Sequence, residues 1–216
     1  CGYRPRLSLA GFHDIFHFSK WMFVQNLIHG LNDRASALVI GRMANAEALA
    51  HYTMAYEISN LANTELAAPI RRAIFPGFSK MASDRMPLRA GSLKTFAVIV
   101  WIGLPVPVGI ALTAPQIVSV FLGDQWLAVV PLIQVLALYG VLRTLGTSSH
   151  LVYLALGKPR ITAMLSALRL LVLIPLLVWG TQQAGALGAA WAMVASSALL
   201  WGVDFAILFR VLKLDL

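Results

Sequence analysis

Apolar residues run through this chain in stretches of about twenty, separated by short polar or basic gaps. Six stretches stand out, over residues 21–40, 51–70, 95–114, 131–155, 161–179 and 186–209, the second being the weakest in hydropathy. A helix rises about 1.5 Å per residue and a bilayer core is about 30 Å thick, so about 20 mostly apolar residues cross it once. The pattern predicts an all-α, polytopic membrane protein. Its parts are a tail over 1–20, a body of six transmembrane helices over 21–209, and a second tail over 210–216.

Charge fits the same segmentation. Arg4, Arg6 and Lys20 lie in the first tail, and Arg71, Arg72, Lys80, Arg85, Arg89 and Lys94 in the second gap. Lys158 and Arg160 fill the fourth gap, and Arg210 and Lys213 the final tail. The gaps on the other side (41–50, 115–130 and 180–185) carry only Arg42. Excess Lys and Arg in short loops marks the cytoplasmic side. Both termini of the chain are therefore expected in the cytoplasm.

Composition agrees: 59% hydrophobic and 12% charged residues, with a mean hydropathy of +0.76, belong to the membrane class. The net charge of +8 would suggest nucleic acid in a soluble protein, but topology accounts for it here and no nucleic-acid partner is expected. Cys1 is the only cysteine, so no disulfide can form within the chain. A start at Cys rather than Met is expected of a piece of something longer. Trp21, Trp101, Trp126, Trp179 and Trp191 fall near proposed span ends, where an amphipathic ring suits the headgroup level. The stretch 115–131 is too apolar for a free loop and too short to cross twice. It reads as a short interfacial helix broken at Gly123, with Asp124 available to cap the next helix.

Four spans carry polar stripes. At 100° per residue, Gln25, His29, Asn32 and Ser36 share a face of the first, with Asp33 at its edge. Thr53, Glu57, Asn60 and Thr64 align in the second, Tyr139, Arg143, Thr147 and His150 in the fourth, and Thr162, Ser166 and Arg169 in the fifth. Such stripes suggest one shared, water-filled cavity, the alternative being interhelical hydrogen bonds and structural ion pairs. Glu57 and Asp33 are candidate ion-coupling groups, since a water-accessible carboxyl at membrane depth suits reversible proton binding. Arg34 lies off the stripe, and Glu65 and Asp204 read as boundary charges. Pro105 and Pro107, flanked by Gly103 and Gly109, interrupt the third span and read as a hinge or a static kink. Gly188, Ala192 and Ser196 recur every four residues, which favours close helix packing.

Enzyme and nucleotide signatures are missing from the sequence. There is no phosphate loop, since Gly157-Lys158 is followed by Pro159, and there is no H-E-x-x-H, cysteine-pair metal site or G-x-S-x-G elbow. No cofactor, metal or catalytic residue is expected, and active transport would have to run on a gradient.

The loops carry a resemblance. Ile40-Gly41-Arg42, then Tyr52, Ala55 and Ile58, then the run 69–80 (PIRRAIFPGFSK), the run 121–126 through Pro131, and Gly157-Lys158-Pro159-Arg160 resemble the polysaccharide-transport flippases. These form part of the multidrug/oligosaccharidyl-lipid/polysaccharide superfamily. The likeness extends over residues 18–213, and order and spacing make it more specific than any one motif. It implies two lobes facing a central cavity, of which this chain resembles the second, so the missing first lobe would be its partner. It further implies a carrier in the inner membrane that moves a lipid-linked oligosaccharide on a polyprenyl diphosphate between leaflets. Such cargo needs basic side chains for the diphosphate, polar groups for sugars and an opening to membrane lipids. Arg143 and Arg169, near the middle of their spans, fit the first need. Tyr139, Thr147, His150, Asn60, Gln25 and His29 are the remaining candidates for the cavity wall. A peptidoglycan-precursor flippase follows the same logic. A multidrug extruder would want a more apolar, acidic cavity, and a membrane enzyme a sizeable outer loop with a His/Asp/Glu cluster.

Overall fold

A computed structural model describes residues 12–61, 64–65, 96–97, 100–101 and 103–212, and among these there is no strand. The family-like run 69–80 and the basic gap 71–94 lie outside the described residues.

Helix α1 (Phe12–Met43) is longer than its proposed span, beginning inside what the sequence suggested was a tail. It reaches about 48 Å at 1.5 Å per residue. The expected gap 41–50 shrinks to Ala44 and Asn45, because Asn45 Oδ1 accepts from the Ala48 N–H at 2.8 Å and starts α2 (Ala46–Leu61) at once.

Helix α3 (Pro105–Phe121) corrects the sequence reading more substantially. No separate interfacial helix begins after residue 114, for α3 passes straight through Pro115. Proline has no N–H for the Ala111 carbonyl, and Gln134 Nε2 from the next helix donates to that carbonyl at 3.4 Å. The break does come at Gly123, whose φ of 88° is left-handed. A 3₁₀ turn (Asp124–Val129) comes next, but Asp124 does not cap it; its Oδ1 accepts from Ser119 Oγ at 2.8 Å. Pro105 and Pro107 occupy the first turn of α3, where a missing N–H costs little.

Helix α4 (Val130–Ala155) ends at Gly157, φ 66°, with the Lys158 N–H reaching back to the Tyr153 carbonyl at 3.0 Å. Helix α5 (Pro159–Leu212) folds back on itself at Ala184 and Gly185, the latter at φ 56°, ψ −134°, a conformation open essentially to glycine. Its arms, 159–183 and 186–212, correspond to the fifth and sixth proposed spans. Gly180 and Gly188 face each other across the hairpin so closely that a Cβ on either would clash with backbone, and Ala192 packs beside them. The spacing of small residues serves the packing that the sequence suggested.

Among the described residues α4 is the central helix, touching α2, α3 and α5, while α1 lies along α5. Ile40, Tyr52, Val118, Ile133, Leu136, Leu173, Leu177 and Met193 fill the common core. Large apolar side chains also cover the outside: Phe23 is 69% exposed, Leu112 74% and Leu171 71%. Such faces suit lipid or a partner lobe and not water. Asp124–Gly146 and Pro159–Leu208 are long and apolar enough to cross a membrane, the second twice because of its hairpin.

Candidate functional site

Three of the four polar stripes converge. A cavity of about 510 Å³ opens between α1, α4 and both arms of α5. Gln25 and His29 reach it from α1, Arg143 and His150 from α4, and Thr162, Ser166 and Arg169 from the first arm of α5. A smaller compartment of about 40 Å³ adjoins it and receives Asp33 and Tyr139. Arg143 and Arg169 line both spaces and so stand at their junction.

The two arginines are held differently. Arg143 donates from Nη1 to the Tyr56 hydroxyl at 3.1 Å, and its Nη2 lies 3.5 Å from Asp33 Oδ1. The other Asp33 oxygen lies 3.0 Å from His29 Nδ1, so one carboxylate is shared by an arginine and a histidine. Arg169 donates to Ser197 Oγ and stands 5.9 Å from the centre of the Tyr139 ring, a cation–π distance. Asn32 fastens α1 to α5 by donating from Nδ2 to the Ser166 carbonyl at 3.0 Å. Two guanidinium groups from different helices thus line one polar cavity, and guanidinium groups bind phosphate through paired N–H donors.

Helix geometry gives the cavity its depth. From Arg143 to His150, from Arg169 to Thr162 and from Ser197 to Asp204 is seven residues each time, about 10 Å along a helix. One end of the space is an arginine layer. The other, toward the basic gap of Lys158 and Arg160, is a layer of neutral and acidic hydrogen-bonding groups.

The fourth stripe does not join them. Glu57 and Thr53 are exposed and Asn60 is half-buried, none lining the cavity, because α2 buries Tyr52, Ala55 and Ser59 instead. Ser59 Oγ donates to the Ile133 carbonyl at 3.1 Å and fixes that face against α4. The Thr147 side chain lies outside the described residues. Arg34 is exposed, away from the stripe as its position predicted. Asp204 also lines the cavity, beside Trp201 and Tyr153, its backbone carbonyl accepting from the Tyr153 hydroxyl at 3.1 Å. The sequence reading singles out neither Ser197 nor Trp201 and gives Asp204 no place in the cavity, although their spacing of four and then three marks one helical face. Tyr56 was overlooked too, and nothing in its sequence context points to Arg143. Among the described residues, no group of three or more His, Cys, Asp or Glu side chains could hold a metal ion.

Comparison with known proteins adds a family to this geometry. The profile of the family described as "Polysaccharide biosynthesis protein" matches residues 1–131. The chain belongs to that family. Within it, the chain is 30% identical over 188 residues to "Lipopolysaccharide biosynthesis protein WzxC" of Escherichia coli (strain K12), covering 86% of this chain and 38% of that protein. It is 28% identical over 210 residues to "Teichuronic acid biosynthesis protein TuaB" of Bacillus subtilis (strain 168), covering 97% of this chain and 43% of that one. Its fold matches the outward-facing conformation of a multidrug resistance MATE family transporter of the MOP superfamily, with a TM-score of 0.82 at 18% identity. That match covers 96% of this chain and 48% of the transporter, and it concerns the fold alone. The chain therefore spans about two fifths of the two curated relatives and about half of the transporter.

Proposed function

We propose that this chain is one lobe of a flippase that carries polyprenyl-diphosphate-linked oligosaccharide repeat units across the inner membrane for surface polysaccharide assembly. The observation that carries the reading is the meeting of Arg143 and Arg169 at one polar cavity in a protein of the polysaccharide biosynthesis family. Arg143 and Arg169 hold the diphosphate. Gln25, His29, Tyr139 and His150 offer hydrogen bonds to sugars. The apolar tail stays in the surrounding membrane lipids. The protein works as a carrier and not as an enzyme, and it breaks no bond of its cargo.

Binding and release need a competitor for the arginines, and the Asp33 carboxylate beside Arg143 suits that part. Loosening of the Asp33–Arg143 pair frees the guanidinium for phosphate, and Asp33 is the coupling group placed to do this. Glu57 is a second coupling group, on the face that α2 leaves exposed. The proline-bearing start of α3, at Pro105 and Pro107, is the bending point between inward- and outward-open forms. Both termini of the chain face the cytoplasm, which puts the non-arginine end of the cavity toward that side.

The test is complementation with the full-length protein in a flippase-deficient strain. Arg143→Lys and Arg169→Lys keep charge but lose the planar two-bond fork, so surface polysaccharide should fall while protein level holds. Full restoration by both lysine variants, and by both alanine variants, would remove the arginines from the transport path.

A further inference from the structure

We propose that the Trp201 end of the cavity is a subsite for the first sugar ring of the cargo, with Gln25 and Asp204 as its hydrogen-bonding groups. The proposal rests on the flippase reading above and assigns the part of the site that the arginines do not reach.

The argument starts from chemistry that a phosphate does not need. One helical turn beyond Ser197, about 6 Å from the arginine layer along the helix, the wall changes character: the Trp201 indole is stacked on Phe205 with ring centroids 5.2 Å apart, and it borders the cavity. Phe205 covers one side of the indole, and Trp201 lines the space. Across from it, on α1, Gln25 is only 3% exposed, yet its Oε1 has no hydrogen-bond partner. A buried acceptor left without a donor is destabilising unless a ligand or water satisfies it. Gln25 also lines the cavity. Asp204, one turn beyond Trp201 on the same face, brings a carboxylate, and His150 a ring nitrogen from α4.

An apolar ring face beside a neutral acceptor and a carboxylate suits a hydroxylated ring rather than a second anion. The C–H groups on a pyranose face pack on an aromatic plane, and the equatorial hydroxyls reach sideways to acceptors. The carboxylate would repel a phosphate, which keeps the diphosphate at the arginine layer. Asp204 thereby sets the direction of the cargo: diphosphate deep, sugar toward the cytoplasmic end.

The experiment compares two probes on purified full-length protein, polyprenyl diphosphate alone and polyprenyl diphosphate bearing one hexose. Trp201→Ala should weaken the hexose-bearing probe about tenfold and leave the bare diphosphate unchanged, with Trp201→Phe recovering most of the loss. Gln25→Leu removes the unpartnered acceptor and should show the same selectivity on a smaller scale. If Trp201→Ala loses both probes together through misfolding, Gln25→Leu decides. Equal losses for the two probes in Gln25→Leu, or no loss of the hexose-bearing probe in Gln25→Leu and Trp201→Ala alike, would overturn the subsite. Full binding of both probes by Arg143→Ala would sink the diphosphate clamp and leave the hexose comparison to stand or fall separately.

Discussion

Asp33 on α1 and Arg143 on α4 meet at 3.5 Å between side chains that are 36% and 17% exposed. The pair joins two helices across the bundle at the mouth of the small compartment. Because the arginine is the more enclosed partner, deleting the carboxylate strands a charge with little water around it. Asp33→Asn should therefore lower stability by about 1–3 kcal/mol, less than for a fully buried pair because Asp33 is partly wet. Thermal unfolding in detergent measures this. Asp33→Asn combined with Arg143→Gln should recover part of the loss without recovering function. A double variant as unstable as the sum of the singles would mean that the two residues do not interact.

The hairpin of α5 makes a second prediction. Gly188→Ala places a methyl group against the Gly180 carbonyl, so the arms must separate. Overpacking of this kind costs about 1–3 kcal/mol, and here the obstacle is backbone that cannot rotate away. The unfolding temperature should drop, and Arg169 and Ser197, which lie on opposite arms, should lose their hydrogen bond. An unchanged melting curve would show that the arms do not pack at these glycines.

Glu57 separates coupling from binding. It is exposed on α2 and lines neither compartment, so Glu57→Gln should leave ligand affinity and protein level intact. As a coupling group its loss should abolish pH-gradient-driven transport. Normal gradient dependence in the variant would confine coupling to Asp33.

Topology gives a fourth prediction from charge alone. Reporters fused after Leu216, or inserted within residues 83–91, should report the cytoplasm. An external signal at either position would contradict the six-span arrangement.

Much of this architecture was legible in the residues, and the exceptions have physical causes. The apolar lengths marked the helices of α1, α4 and both arms of α5, and the stripes on those helices found the cavity. Pro115 misled the boundary of α3, since a proline ends a helix only when nothing else satisfies the freed carbonyl, and Gln134 from α4 does so for Ala111. The stripe of Glu57 and Asn60 was real as a periodicity, but periodicity does not say which neighbour a face turns to. Asp204 was discounted because it stood near the end of an apolar run. Its company, Ser197 and Trp201 on the same helical face, carried the better signal.

The central claim, that Arg143 and Arg169 clamp a diphosphate together, is tested most directly by binding. Purified full-length protein should bind polyprenyl diphosphate, measured by titration, and each arginine-to-lysine variant should weaken it about tenfold or more, with melting temperature retained. The double lysine variant should lose less than the product of the two single losses, because the two guanidinium groups grip one ligand. Wild-type affinity in Arg143→Ala and Arg169→Ala, with folded protein confirmed, would contradict the account.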